Sequence, residues 1–368
     1  MDGTDNRVTE PHILPLTSIG GSERRICQVL AMGDGAVLAL QAICVDRALT
    51  LFASLRATGS DWSAPALLAV DLAVPAVPSM TLAPVVLQEG EDFAVAWPLD
   101  GAGLLLITPR GGDVLLAPGR VTALCGQGGA LHVAVGSQVY RHQDGQGWQK
   151  LGPALAGPVT ALALFAGHVH AATASDRAGF DLSRLVGDDW EAVMTRGAWR
   201  YASSPRVTAM AVVGARLLVA ADGPDLSVVQ VGDEHPELLT VDEDGGWSLL
   251  SGQARFTPEG LRLPVTAGGP GVPGCAGLTV GGIQPLGAIQ TPGVSALIWL
   301  RPRGDAADGL ATMALSGDEW SPTDRLARVE AGVTSLAVAR DGTVLIAAGA
   351  DVGAGMARRP LLTLRAPR

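Results

Sequence analysis

The sequence predicts an all-β fold in which one four-stranded antiparallel unit is repeated along a chain of 368 residues. Glycine (48 residues) and proline (24 residues) interrupt the chain every few positions, and the apolar segments between them have the length of short strands. Val-Thr-Ala-Leu or a close variant opens several of these segments, and a turn followed by tryptophan recurs five times. Such a recurrence marks one supersecondary unit used repeatedly. The five turns are Gly59-Ser-Asp-Trp62, Gly145-Gln-Gly-Trp148, Gly187-Asp-Asp-Trp190, Asp244-Gly-Gly-Trp247 and Gly317-Asp-Glu-Trp320.

One unit can be followed strand by strand between residues 121 and 151. Its four strands are predicted at 121–124, 130–135, 138–141 and 148–151. Because only short turns separate them, the strands must form an up-and-down antiparallel sheet with hairpin connections. Corresponding units begin at Val159 and Val207 and reach their tryptophans at Trp190 and Trp247. A four-stranded unit that recurs at about 40–50 residues is typical of a β-propeller blade.

Seven four-stranded blades are the favoured arrangement, and six or eight blades are the alternatives because residues 253–293 are hard to assign. The predicted blades are residues 26–80, 81–120, 121–157, 158–205, 206–252, 277–331 and 332–368, in a single propeller domain. The seventh blade is short by one strand, and a strand-like segment at 10–18 belongs to no blade. We expect that segment to supply the missing outer strand and to close the ring, which leaves no sheet edge at the seam. Residues 253–276 are predicted to be a Gly/Pro-rich insertion.

The segment from Leu131 to Leu151 resembles a blade of the Asp-box, or BNR-repeat, propellers, a family that includes the sialidases, the sortilin-type receptors and photosystem assembly-factor-like proteins. In the family pattern a Ser or Thr and an Asp precede a Gly that lies three positions before an aromatic residue. This chain keeps the Gly–Trp relation, except that Asp244 replaces the Gly before Trp247. The resemblance implies a propeller fold. It does not extend to sialidase chemistry, which needs a Tyr nucleophile, because Tyr140 occupies a packing position of the repeat.

Composition narrows the function classes. The formal net charge is −10, which argues against nucleic acid or an anionic membrane as the partner. The first 19 residues lack the apolar stretch of a signal peptide, and no 18-residue uncharged apolar stretch follows. The four cysteines show no paired spacing, so a cytoplasmic protein with reduced thiols is the simplest interpretation. No nucleotide-binding, metalloprotease or serine-hydrolase motif is present, and we predict no cofactor and no metal.

Two repeated features have a structural and a functional interpretation. The five tryptophans could form a sugar-binding ring, but an indole that wedges between neighbouring blades at the start of each outer strand is favoured. His132 and His170 stand at equivalent positions, 11 residues after the valine that opens their units. Because Leu218 and Val344 fill the same position in two other units, packing between blades is favoured over metal binding. The acidic segment 242–245 is predicted to be a solvated turn.

The connections from each outer strand to the next blade, and from second to third strands, should lie together on one face. Arginine and aspartate are frequent in these connections, and the 253–276 insertion falls among them. We therefore predict that a rim on this face contacts the partner. Its candidate residues are Arg120, Asp176, Arg177, Arg206, Asp222, Asp225, Arg301, Arg303, Asp305 and Arg358.

The favoured function is a non-catalytic, cytoplasmic protein-interaction or scaffold module that uses this loop face. Another protein is the favoured partner and a small molecule is the alternative, with no nucleic acid and no membrane. An enzyme of specialised metabolism or glycan processing, with its site at the central channel, is the first alternative function. It is disfavoured because few side chains titrate near neutral pH and no acid/base pair stands out. A carbohydrate-binding lectin is the second alternative.

Overall fold

The computed structural model of the chain is all-β, as predicted, and its strands pair in antiparallel sheets. It describes residues 24–32, 36–45, 47–56, 63–79, 81–88, 92–143, 145–174, 179–195, 206–221, 237–251, 255–257, 260–262, 278–285, 296–302, 311–316, 319–322, 333–339, 343–348, 350–351 and 361–365. No helix in these ranges is long and apolar enough to cross a membrane. The chain divides into two compact units. The first comprises Met1–Asp100, Leu104–Leu115 and Ala331–Arg368, and the second comprises Gly101–Gly103 and Leu116–Glu330.

The first unit contains three sheets among its described residues. Its strands are β1 (Arg24–Ala31), β2 (Val37–Val45), β3 (Ala48–Arg56), β4 (Ala66–Ala73), β5 (Val85–Gln88), β6 (Ala94–Pro98), β7 (Leu104–Thr108), β8 (Gly111–Leu115), β27 (Val333–Val338), β28 (Thr343–Ala348), β29 (Ala350–Asp351) and β30 (Leu361–Arg365). The strand orders are β29-β1-β2-β3-β4, β5-β6-β7-β8 and β27-β28-β30. The segment 10–18, which the sequence predicts as the closing strand, lies outside the described residues.

The second unit contains four four-stranded sheets and one short hairpin within the described ranges. Its strands are β9 (Val121–Gln127), β10 (Ala130–Val135), β11 (Gln138–Gln143), β12 (Gly147–Leu151), β13 (Val159–Phe165), β14 (His168–Ala174), β15 (Phe180–Val186), β16 (Asp189–Met194), β17 (Val207–Val213), β18 (Arg216–Ala221), β19 (Glu237–Val241), β20 (Trp247–Ser251), β21 (Arg255–Thr257), β22 (Gly260–Arg262), β23 (Leu278–Pro285), β24 (Ala296–Pro302), β25 (Ala311–Ser316) and β26 (Glu319–Pro322). Each four-stranded sheet keeps its strands in sequence order, which is the order of a propeller blade.

The predicted 253–276 insertion is not irregular throughout, because β21 and β22 form a hairpin at its start. Its register runs from Arg255 opposite Arg262 to Thr257 opposite Gly260. The sequence alternates polar and apolar residues on both sides of a Pro-Glu connection, which favours a hairpin. The remainder of the insertion lies outside the described residues.

The Val-Thr-Ala repeat has a definite structural meaning. In β9, β13 and β17 the register skips the threonine, so the first strand of each sheet begins with a β-bulge. Each threonine hydroxyl donates to a carbonyl on the adjacent second strand: Thr122 to Ala134 (3.4 Å), Thr160 to Ala172 (3.5 Å) and Thr208 to Ala220 (3.4 Å). β27 has the same register shift after Val333. The repeat therefore encodes a bulge and the hydroxyl group that anchors it.

Neighbouring sheets of the second unit touch through their first strands, with β9 beside β13, β13 beside β17, and β17 beside β23. Alternate residues of the β13–β16 sheet consequently enter two different cores. Leu162 and Ala171 pack with Ala123 and Cys125 of the preceding sheet. On the opposite face, Phe180 packs with residues of the β17–β20 sheet. Burial on both faces accounts for the largely apolar character of the two inner strands, β13 and β14.

One residue of the first unit departs from the Val-Thr-Ala pattern. Ser335 in β27 stands where the other copies have alanine, and its Oγ accepts a hydrogen bond from the Val29 N–H of β1 at 2.7 Å. Ser335 is 6% exposed, and Val29 packs with Ala337 and Leu345 around this contact. The serine thus joins the first and last sheets of the chain with a buried hydrogen bond.

Replacing Ser335 with alanine should destabilise the protein by about 1–3 kcal/mol, because the buried Val29 N–H would lose its acceptor. Urea denaturation measures the change. Ser248→Ala, an exposed serine on β20, is the matched control and should stay within about 0.5 kcal/mol of the parent. An equal effect of both substitutions would contradict a specific role for Ser335.

Gly157 precedes β13 at a point where the chain passes directly over the end of β14. A Cβ atom at this position would overlap the Ala174 carbonyl oxygen. Gly157→Ala should therefore cost about 1–3 kcal/mol of stability, measured by thermal or urea denaturation. Gly246→Ala is the control, because its Cβ would meet no atom closer than the Asp242 Oδ2 at 3.8 Å. A parent-like Gly157→Ala protein would show that this crossing can relax.

Candidate functional site

Three of the ten predicted rim residues fall within the described residues. Arg120 and Arg206 are exposed, and each immediately precedes the first strand of its sheet, β9 or β17. Arg301 lies in β24. The structure therefore places Arg120 and Arg206 at the same end of their sheets, as the repeat predicts. Outside the described residues lie Asp176, Arg177, Asp222, Asp225, Arg303, Asp305 and Arg358.

The connections at this end of the second unit are tied to the strands beneath them. The 152–158 connection is held by three main-chain hydrogen bonds: Leu155 N to Ser137 O (2.9 Å), Val159 N to Gly136 O (2.8 Å) and Ala174 N to Pro158 O (2.9 Å). Pro153 and Pro158 restrict its backbone further. Because these bonds join the connection to two sheets, it forms a preorganised surface.

We call residues 116–120, 136–137, 152–158 and 206 the loop face of the second unit. Its exposed side chains are mostly small or apolar, and Leu116 has 65% of its surface exposed. Also exposed are Pro118, Pro153, Ala154, Ala156 and Pro158. The two arginines are the charged residues of this face. The sequence prediction emphasised those charges and missed the apolar surface between them, although the prolines at 118, 153 and 158 were a visible signal.

The opposite end of the same sheets is acidic. Asp188 and Asp189 are exposed in the β15–β16 turn, and Asp242, Glu243 and Asp244 are exposed in the β19–β20 turn. The 242–245 turn is thus solvated, as predicted, and it is joined to Arg216 by an Asp242 ion pair of 3.5 Å. Both side chains of that pair are about half exposed, so the pair contributes little to stability.

Three tryptophans of the repeat, Trp148, Trp190 and Trp247, contact the chain itself. Trp190 Nε1 donates to the Pro153 carbonyl at 3.1 Å, and Trp148 Nε1 donates to the Leu116 carbonyl at 2.7 Å. Gly152 leaves room for the Trp190 indole, since a Cβ there would lie 2.8 Å from Nε1. Trp247 packs against the core between its own sheet and the preceding one. These contacts support the wedge interpretation over a sugar-binding ring; Trp62 lies outside the described residues.

His132 and His170 lie between neighbouring sheets, in agreement with the packing prediction. They are 5% and 3% exposed. Burial lowers the pKa of both to about 4, and the nearby Arg141 lowers the pKa of His132 further. His170 Nδ1 is 3.2 Å from the His168 carbonyl oxygen, a contact that opposes the shift. Both histidines are therefore neutral at neutral pH. In the described residues no group of three or more His, Cys, Asp or Glu side chains could hold a metal ion.

Stability should fall as the pH drops from about 6.5 towards 4. The pKa of each buried histidine is below the unfolded value of 6.5, so the unfolded chain binds protons first. Each histidine should contribute about 1–2 kcal/mol of this loss by pH 5, as measured by urea denaturation.

The double substitution His132→Leu and His170→Leu supplies the control, because Leu218 already fills the same position in the β17–β20 sheet. The double variant should lose less stability than the parent between pH 6.5 and 5. Parallel pH profiles would show that these histidines do not couple to folding.

No protein-family model matches the chain. No curated protein matches it either. Several solved structures do. A chain of the mitotic checkpoint complex matches with a TM-score of 0.54 and 12% identity, over 99% of this chain and 96% of that one. YCF48 bound to D1 peptide matches with a TM-score of 0.50 and 16% identity, over 97% and 100%.

The extracellular domain of a hybrid two-component system from B. thetaiotaomicron matches with a TM-score of 0.54 and 10% identity, over 94% of this chain. The match spans only 39% of that longer chain. At these identities the matches establish the fold alone. Together with the four-stranded antiparallel sheets, they confirm the predicted β-propeller fold. The limits of the individual blades stay predictions.

Proposed function

We propose that the chain is a protein-interaction module that binds a partner protein through the loop face of the second unit. The observation that carries this proposal is a preorganised, apolar surface bordered by Arg120 and Arg206. Leu116 and the exposed prolines supply apolar area that is costly to leave in water. Since an arginine can pair with a carboxylate through two parallel hydrogen bonds, the two arginines would orient the partner.

The fixed geometry of the loops favours binding. Main-chain hydrogen bonds already order the 152–158 connection in the free protein, so little conformational entropy is lost when a partner docks. Arginine is enriched in the buried centre of interfaces, and the described loop face contains two arginines.

Two structural matches are consistent with this role. YCF48 was solved with a D1 peptide bound, and the checkpoint chain belongs to a multiprotein complex. The net charge of −10 also makes a protein a better partner than nucleic acid. A binding function is favoured over acid–base catalysis because burial lowers the pKa of His132 and His170 to about 4, which makes both imidazoles weak bases at neutral pH. The cytoplasmic location remains part of the proposal.

Affinity capture from the source cell, followed by chemical cross-linking, should recover a stoichiometric protein partner that is linked to the loop face. Reversing both charges, Arg120→Glu with Arg206→Glu, should weaken that partner's binding at least about ten-fold, or about 1.4 kcal/mol, in calorimetry.

Lys150→Glu is the matched control. It reverses one exposed positive charge on β12, outside the loop face, and should leave the affinity within about two-fold of the parent. A partner that binds the double reversal as tightly as the parent would contradict the proposed surface.

A further inference from the structure

Two neighbouring sheets of the second unit carry a histidine and an arginine at matching positions. Cross-strand pairing places His132 opposite Arg141, and His170 opposite Arg184. Each pair belongs to a row of cross-strand partners that runs over all four strands of its sheet. The two rows are Cys125–His132–Arg141–Gln149 and Ala163–His170–Arg184–Glu191. Directly paired residues share one face of an antiparallel sheet. Each row therefore faces the following sheet, and the two differ at their last position, where one has glutamine and the other glutamate.

In the second row the arginine is paired. Arg184 Nε and Nη2 donate to Glu191 Oε2 at 3.3 and 3.2 Å. Its Nη1 donates to the Glu243 carbonyl of the following sheet at 3.4 Å. The neighbouring His170 Nδ1 has the His168 carbonyl oxygen as its partner. Every one of these polar groups is accounted for within the chain.

Among the described residues, the first row has no corresponding hydrogen-bond acceptors. Gln149 is neutral, and its Nε2 donates to Gln146 Oε1 at 2.9 Å instead. His132 Nδ1 and Arg141 Nε are both buried, and neither has a hydrogen-bond partner among the described residues. A buried polar atom without a partner costs about 1–3 kcal/mol, more when the group is charged. The interface thus holds the unpaired Nε of a half-buried arginine beside an unsatisfied imidazole.

We propose that His132 and Arg141 form a binding site for a carboxylate group that is not part of the described chain. The carboxylate would occupy the place that Glu191 takes beside Arg184. Its two oxygens would accept one hydrogen bond from Arg141 Nε and one from His132 Nδ1. A single carboxylate matches a site with one guanidinium charge and two donors.

Among the described residues, no acidic side chain is paired with Arg141 or His132. The opposing β13–β16 sheet contributes Leu164, Val169 and Leu185 to this interface. On β9, Cys125 is uncharged because burial raises the pKa of its thiol to about 12. The carboxylates of the adjacent turn, Asp188 and Asp189, are exposed, and within the described structure neither forms an ion pair with Arg141. An apolar interface strengthens the attraction between the guanidinium and an entering anion.

Carboxylate binding should be linked to protonation. In the free protein, burial and then Arg141 hold the pKa of His132 near 4. A bound carboxylate offsets the arginine charge and accepts from the imidazolium, so it raises that pKa. Affinity should consequently increase as the pH falls from 7 to 5.

Nuclear magnetic resonance of the arginine Nε–H groups tests the site in the full chain, with Arg141→Lys used to assign the Arg141 signal. Sodium acetate, added at constant ionic strength, should move the Arg141 signal along a saturable curve, and acetamide should not move it. His132→Leu should weaken acetate binding at least about ten-fold by removing one donor.

Exchanging the last residues of the two rows, Gln149 and Glu191, gives two reciprocal controls. Gln149→Glu should abolish the acetate response of Arg141, because it installs the carboxylate found in the next sheet. Glu191→Gln should give Arg184 an acetate response that the parent lacks. The proposal is overturned by a response that never saturates, by an equal response to acetamide, or by a Gln149→Glu protein that still responds.

A second binding experiment identifies the source of the carboxylate. The probe is the blocked peptide Ala-Glu-Ala, with Ala-Gln-Ala as its neutral control. Saturable binding of acetate alone would support a small organic acid, and binding of both acetate and the Glu peptide would support an acidic side chain of a protein. If the Arg120→Glu and Arg206→Glu substitutions had no effect on partner binding, the loop-face proposal would fail but this carboxylate site would not, because the two surfaces share no residue.

Discussion

Packing of one sheet against the next is the constraint on which the described structure of the second unit depends. A sheet whose inner strands are apolar on both faces removes that surface from water only when it packs against a neighbour on each side. The β13–β16 sheet illustrates the consequence, since Leu162 and Phe180 enter cores on opposite sides of it. Small side chains on the second strand, such as Ala171 and Ala172 of β14, are fully buried and allow the neighbouring sheets to approach closely.

That constraint also explains why departures from the repeat are informative. A polar atom that is enclosed between two sheets, such as Arg141 Nε, cannot reach water, so it needs a partner in the chain or from outside. Ser335 finds the Val29 N–H and becomes a link between the first and last sheets. Arg141 has no such partner in the described chain, because the glutamate of the next sheet is replaced by Gln149. A buried polar group that has a partner in the chain is therefore structural, and one that has none is a candidate binding site.

The fold could be predicted from the sequence because short local patterns identify the repeat. Val-Thr-Ala marks a bulge, and the turn-plus-Trp marks an outer strand; both signals depend only on near neighbours in the chain. The relation between Arg141 and Arg184 was not visible, because the β14–β15 connection is longer than the β10–β11 turn. Equal spacing from the histidines is therefore lost, and only the strand register shows the equivalence.

The candidate surface was predictable in outline. Counting strands placed Arg120 and Arg206 at one end of their sheets, since that follows from topology. The closeness of the 152–158 connection to two strands depends on three-dimensional packing around Gly157, which no local pattern reports. The short hairpin at Arg255–Arg262 was missed because its strands are only three residues long.

The Trp190 hydrogen bond gives assembly a direction. Its indole reaches back to the Pro153 carbonyl, a group that is synthesised 37 residues earlier. During synthesis the β13–β16 sheet can therefore bond to the β9–β12 sheet that already exists, and its other face stays uncovered until the β17–β20 sheet is made. A growing chain of this kind can order itself progressively behind the ribosome, with one unprotected apolar face at a time.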